Sequence, residues 1–128
     1  MRSTEILTEA KESWGYHLLL DCRGMNDNVE DEKTIRKFVK ELVDRIDMIA
    51  VGDPLVKYFP PKPDPKSGWS IVQLIVTSTI VCHFMDQSRE AYIDVFSCKK
   101  FEPSDAEDVV REFFEPEHIK SHFLNRQA

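Results

Sequence analysis

Two periods order the apolar positions along the chain. Residues 14–22 (WGYHLLLDC) form a short apolar run bounded by Gly24, which predicts a buried strand. Ile35, Phe38, Val39, Leu42, Ile46 and Ile49 then recur at helical spacing, so residues 29–49 are expected to form an amphipathic helix. Acidic residues crowd its start (Asp27, Glu30, Asp31, Glu32), where the helix dipole favours them. Four further strands are expected at 49–59, 69–76, 79–84 and 91–97; the first is interrupted near Gly52-Asp53-Pro54, and Thr77-Ser78 separates the middle two. Ser104-Asp105-Ala106-Glu107 has the form of a capping box after Pro103 and opens a helix carrying Val109, Val110, Phe113 and Phe114, which Pro116 ends. Residues 118–124 are expected as a last short strand.

Consecutive strands without crossovers cannot be parallel neighbours. The expected fold class is therefore α+β: a two-layer sandwich of a mostly antiparallel sheet with two helices on one face. The other face then needs a cover, and a partner chain supplies one. The Pro-rich stretch 60–68 cannot be helix or central strand, and reads as a loop inside one domain spanning residues 1–128. Residues 1–13 are expected to be a flexible N-terminal segment.

Charge and composition narrow the classes. A net charge of −6 argues against binding nucleic acid through its phosphates. The longest apolar run, Ile71 to Met85, is broken by polar residues and falls short of the ~18 needed to span a membrane. The N-terminus has no secretory pattern, and three cysteines do not make a disulfide framework, so a cytoplasmic, reducing location is expected.

The polar residues of interest lie between Ser70 and Cys98. By the period-two rule Ser70, Val72, Leu74, Val76 and Ser78 are expected on one strand face. The next strands bring Cys82, His83 and Cys98, so three adjacent strands would gather two serines, a histidine and a cysteine. These residues also have an ordinary explanation, because strand ends often carry Ser and a buried Cys is usually a small hydrophobe. Cys82, His83 and Cys98 lack the paired spacing of a structural zinc site. His118 and His122, on one face if helical, lack a third ligand, and no metal is expected. A Cys98–His83 nucleophilic pair remains open. The four glycines form no phosphate-cradling motif, and Trp14, Trp69 and the phenylalanines read as core.

Read together, the segments resemble the short prokaryotic S-adenosylmethionine decarboxylases, which are self-processing and pyruvoyl-dependent. Gly15-Tyr16-His17-Leu18-Leu19-Leu20-Asp21 is similar to the family's opening G-x-H-hydrophobic-D strand. Thr77 to Gln87 stands where the family has its E-S-H-L-S-I-H-T-W-P-E processing segment, and Asp94-Val95-Phe96-Ser97-Cys98-Lys99 where it has D-hydrophobic-aromatic-T-C-G. Ser70, His83 and Cys98 lie eight before, five after and twenty after Ser78, the family's intervals. Three departures stand out: Thr77 for Glu, Phe84-Met85-Asp86-Gln87 for T-W-P-E, and Lys99 for Gly.

The resemblance implies that Ser78 becomes the pyruvoyl cofactor after self-cleavage at Thr77-Ser78. It implies that Ser70 and His83 assist processing and that Cys98 donates a proton to Cα after carbon dioxide leaves. A ketone is required because no ordinary side chain takes up the electrons left on an amino acid's Cα. Met85, Gln87 and Trp69 are candidate substrate contacts; Glu12 and Phe59 are within range of the same role, and His17 and Asp21 are equally well explained as strand residues. The implied substrate is S-adenosylmethionine, its product the aminopropyl donor for spermidine synthesis, and the implied assembly a homodimer. Two alternatives stay open: the same chemistry on ornithine or arginine, and an uncleaved, non-catalytic regulatory relative.

Overall fold

The computed structural model describes residues 13–128. Residues 1–12, and with them Glu12 and nearly all of the expected flexible segment, lie outside the described residues. In chain order the elements are β1 (Gly15–Arg23), a short 3-10 helix (Asp27–Glu30), α1 (Glu32–Arg45), β2 (Leu55–Phe59), β3 (Gly68–Ile75), β4 (Ser78–Met85), β5 (Glu90–Ser97), α2 (Pro103–Phe114) and β6 (His118–Arg126). The six strands form one sheet in the order β2-β3-β4-β5-β1-β6, every neighbouring pair antiparallel. Both helices pack on the same face. There Ile35, Phe38 and Leu42 of α1 and Val109, Val110 and Phe114 of α2 close over Leu18, Leu20, Ile71, Ile80, Ile93 and Val95. The rings of Phe38, Phe84 and Phe114 meet at its centre, 4.9–6.2 Å between centroids. This is the expected two-layer α+β sandwich.

The first helix is shorter than its periodicity suggests. Asn26 caps a separate 3-10 turn, its side chain accepting from the Asn28 N–H at 3.0 Å. The amides of Asn26 and Asn28 both reach the Phe113 carbonyl, one of the carbonyls the end of α2 leaves unpaired. α1 ends in a Schellman motif. Asp47 takes the left-handed position (φ 61°), its N–H bonding the Asp44 carbonyl and the Met48 N–H that of Val43. Ile49, expected on the apolar helix face, therefore lies beyond the helix and is 68% exposed. Ala50 makes only an isolated bridge to Ile75, and the regular strand begins at Leu55, after the anticipated interruption.

One other expectation is corrected. Ser104 does not cap α2: Pro103 occupies its first turn, and Glu102 is the N-cap without a side-chain bond. Proline starts the helix one residue early because its fixed φ suits that place and its missing N–H costs nothing there. His118 and His122 lie on the last strand, as expected for residues 118–124, about 13 Å apart along it.

β2, β3 and β4 come close together because residue 68 has no side chain. A Cβ on Gly68 would lie 1.8 Å from the Phe84 carbonyl oxygen, and a backbone atom in a sheet cannot step aside. Gly68→Ala is expected to cost about 3 kcal/mol, the upper end of overpacking penalties. The measurement is a lowered urea midpoint at unchanged slope.

Candidate active site

The antiparallel register of β3, β4 and β5 decides where the candidate residues stand. β3 ends at Ile75, which pairs with Ser78, so Val76 and Thr77 alone turn the chain into β4. Ser70 and Ser78 therefore do not share a strand face, contrary to the period-two expectation. From Ser78, β4 runs back along β3 until His83 stands opposite Ser70. Ser70 Oγ and His83 Nδ1 are 2.9 Å apart. Five residues of extended strand, about 17 Å, separate this pair from Ser78. The four residues expected in one place thus fall at opposite ends of the strands: Ser70 pairs with His83, whereas Ser78 pairs with Ser97, the residue before Cys98.

At the Ser78 end the turn is tightly held. The Cys98 N–H donates to the Thr77 carbonyl oxygen at 2.9 Å. The Ser97 hydroxyl, buried, donates to Thr77 Oγ1 at 2.8 Å, and Thr77 Oγ1 in turn donates to Met48 Sδ at 3.2 Å. Two-residue hairpin loops normally take positive φ at a loop residue. Val76 and Thr77 are β-branched and neither does so; the unusual angle falls on Ser78, with φ 154°. L-residues rarely adopt such values, which cost of order 1–3 kcal/mol.

The face of the sheet away from the helices carries three cross-strand rows: Leu74–Thr79–Phe96–His17–Leu124, Val72–Val81–Asp94–Leu19–His122, and Ser70–His83–Tyr92–Asp21–Lys120. Leu55, Leu74, Leu124 and Phe59 on this face are 49–58% exposed. Tyr92, beside His83, escapes a sequence reading because only the register brings it there. Burial, helped by Glu90 and Asp21, raises the Tyr92 pKa and keeps the phenol protonated. His17 receives Arg126 at 3.2 Å, and that guanidinium stacks on Phe96. The Phe96 ring lies where a Cβ on Gly15 would be, 2.8 Å away, which accounts for the glycine of the opening motif.

The remaining candidates gather at the other end of β4. Trp69 donates its indole N–H to the Glu30 carbonyl at 3.1 Å and meets Tyr58 edge-on, so it ties the 3-10 helix to the sheet. Met85 ends β4, and Gln87 lies in the following turn, lining a cavity of about 410 Å³ with Glu30, Lys62, Asp86 and Arg89. Asp86 is buried. Its Oδ2 accepts from the Tyr58 hydroxyl at 2.5 Å, while its Oδ1 has no partner among the described residues. Burial and the Asp86 bond push the Tyr58 phenol up to about 12. Among the described residues no group of three His, Cys, Asp or Glu side chains is placed to hold a metal, and no helix is long and apolar enough to cross a membrane.

The three thiols differ sharply. Cys22 and Cys82 sit in the core; burial pushes Cys22 up to about 12 and raises Cys82 further, whereas Cys98 is exposed. The thiolate is the reactive form. A maleimide at pH 8 is therefore expected to label one thiol of the native protein, and none after Cys98→Ala, by intact mass.

Comparison with known proteins agrees with this architecture. The profile of the S-adenosylmethionine decarboxylase family matches residues 16–127. The crystal structure of the adenosylmethionine decarboxylase from Aquifex aeolicus VF5 superposes with a TM-score of 0.73 at 23% identity, covering 92% of this chain and 94% of that one. At that identity the likeness speaks for the fold. No curated protein sequence matches. With the family profile spanning almost every described residue, the chain belongs to the S-adenosylmethionine decarboxylase family, a family of carboxy-lyases.

Proposed function

We propose that this protein cleaves itself between Thr77 and Ser78 and then decarboxylates S-adenosylmethionine, its product serving as the aminopropyl donor for spermidine synthesis. The observation that carries the proposal is the Thr77–Ser78 turn. The Ser78 hydroxyl adjoins a carbonyl already polarised by the Cys98 N–H. Attack on the Thr77 carbonyl carbon converts the amide to an ester, and negative charge develops on the oxygen that this N–H bonds. A donor aimed at a developing oxyanion is among the strongest catalytic devices. The same step breaks the peptide that holds Ser78 at φ 154°, so backbone strain favours it.

Elimination then removes the Cα proton and expels residues 1–77 as a carboxylate. The dehydroalanine left at residue 78 takes up water and loses ammonia, leaving a pyruvoyl group. That group supplies the electron sink decarboxylation requires. His83, its Nδ1 bonded to Ser70, is the base for the elimination, and Cys98 returns a proton to the substrate's Cα.

Within one chain His83 is too far from Ser78 for this role. The arrangement becomes complete if a second copy lays its open sheet face on the first, head to tail. The Ser70–His83 pair of one copy then approaches the β3–β4 turn of the other. Exposed Leu55, Phe59, Leu74 and Leu124 supply apolar surface for such a homodimer. Three free thiols suit a reducing cytosol.

A second reading keeps the chemistry and replaces the substrate with ornithine or arginine. It is favoured by the unpartnered Asp86 oxygen beside Gln87, an acceptor for a side-chain ammonium or guanidinium.

Intact mass spectrometry tests the first step. Wild type is expected to yield residues 1–77 and a pyruvoyl-blocked 78–128, while Ser78→Ala and His83→Ala each stay whole. Mixing the two variants is expected to cleave the His83→Ala chain, because the Ser78→Ala partner supplies the histidine. Wild type that stays whole after long incubation assigns the regulatory reading instead. Turnover is then followed as carbon dioxide released from S-adenosylmethionine, ornithine and arginine in parallel. S-adenosylmethionine is expected to be used, and Cys98→Ala to process yet lose about 10²–10⁴-fold in turnover, the usual value of a general acid.

A further inference from the structure

Two departures from the family pattern, Thr77 and Lys99, reach two adjacent residues, one each. Thr77 donates its hydroxyl to Met48 Sδ at 3.2 Å. Lys99 places its ammonium on Asp47, 2.7 Å from the backbone oxygen and 2.8 Å from Oδ2. Asp47 and Met48 are the closing residues of the α1 Schellman motif, so their backbone is fixed by the Asp44 and Val43 carbonyls. A cation at a helix C-terminus also lies at the favourable end of the dipole. Between the two anchors, the Lys99 N–H donates to Ser97 Oγ at 2.9 Å, and the Ser97 hydroxyl donates to Thr77 Oγ1. Cys98, whose N–H bonds the Thr77 carbonyl, is thus flanked by Ser97 and Lys99, both held in place.

We propose that the end of α1, Asp47–Met48, is the positioning base for self-cleavage: Met48 holds the side chain of Thr77, and Lys99, anchored on Asp47, holds the Cys98 N–H on the carbonyl that Ser78 attacks. The proposal rests on the self-cleavage reading above and adds to it residues that touch no substrate. The hydrogen bond from Lys99 also lowers the Asp47 carboxyl, as a formed pair requires. Removing the ammonium frees residues 98 and 99, and the carbonyl loses its fixed donor.

The test has two separate readouts. The first is the rate at which the Ser78-containing chain splits. The second is amide hydrogen exchange at Cys98, measured by NMR in a Ser78→Ala background that cannot split. Lys99→Met is expected to slow splitting about tenfold and to speed Cys98 exchange about tenfold, the scale of one hydrogen bond. Lys99→Arg, which keeps the cation, is expected to restore both to within about twofold. Asp47→Gly, which keeps the left-handed turn and removes only the carboxylate, is expected to move both in the direction of Lys99→Met. Unchanged Cys98 exchange in Lys99→Met overturns the proposal, as does slow splitting that Lys99→Arg does not rescue. Failure of the self-cleavage reading is seen separately, as a parent chain that never splits, while the exchange measurement still reports on the Lys99 anchor.

Discussion

Much in this molecule depends on the two-residue connection between β3 and β4. Because Ile75 pairs with Ser78, the register of the central hairpin is set, and every cross-strand neighbour of β4 follows from it. Ser70 must then face His83, and Ser78 must stand at the tip beside Ser97. The turn is made from Val76 and Thr77, β-branched residues ill suited to positive φ. The conformational burden of the reversal is thereby transferred to Ser78, the residue whose backbone chemistry is in question. Turn strain, the polarised Thr77 carbonyl and the location of the candidate nucleophile have a single origin.

The same register separates the candidate machinery into halves. An antiparallel hairpin moves two residues on one strand apart by about 3.3 Å for each step in sequence. His83 and Ser78 cannot meet without breaking β4, whose interior positions Ile80, Cys82 and Phe84 are locked in the core. The helices cover one sheet face only, and the other presents leucines and a phenylalanine together with the polar row through His83 and Tyr92. Exposed apolar surface and the Ser70–His83 pair thus coincide on one face, the face on which the proposed second copy packs.

The departures from the family pattern fall into two structural groups. Thr77 and Lys99 are tied to the end of α1, beside the β3–β4 turn. Met85, Asp86 and Gln87 lie at the far end of β4, where Asp86 is held by Tyr58 and leaves one oxygen without a donor among the described residues. A buried acceptor in that state carries a desolvation cost until something donates to it. In the proposed function the first group bears on self-cleavage and the second on the substrate.

The sequence by itself determined the element order, the sheet-and-two-helix class and the family, because these follow from local signals. The apolar run in residues 14–22, the helical spacing from Ile35 to Ile46 and the interval pattern around Ser78 are all read along the chain. Helix ends were less legible. Ile49 continues the apolar period, yet the left-handed Asp47 stops the helix before it, and Pro103 rather than Ser104 begins α2. Only the tertiary structure decided which candidates meet. Three adjacent strands suggested one cluster, whereas pairing placed Ser70 with His83 and Ser78 with Ser97, leaving the Cys98 N–H and Met48 on Thr77. The physical reason is that side-chain proximity across strands depends on register, which is fixed by a turn and by a hydrophobic face shared among distant segments.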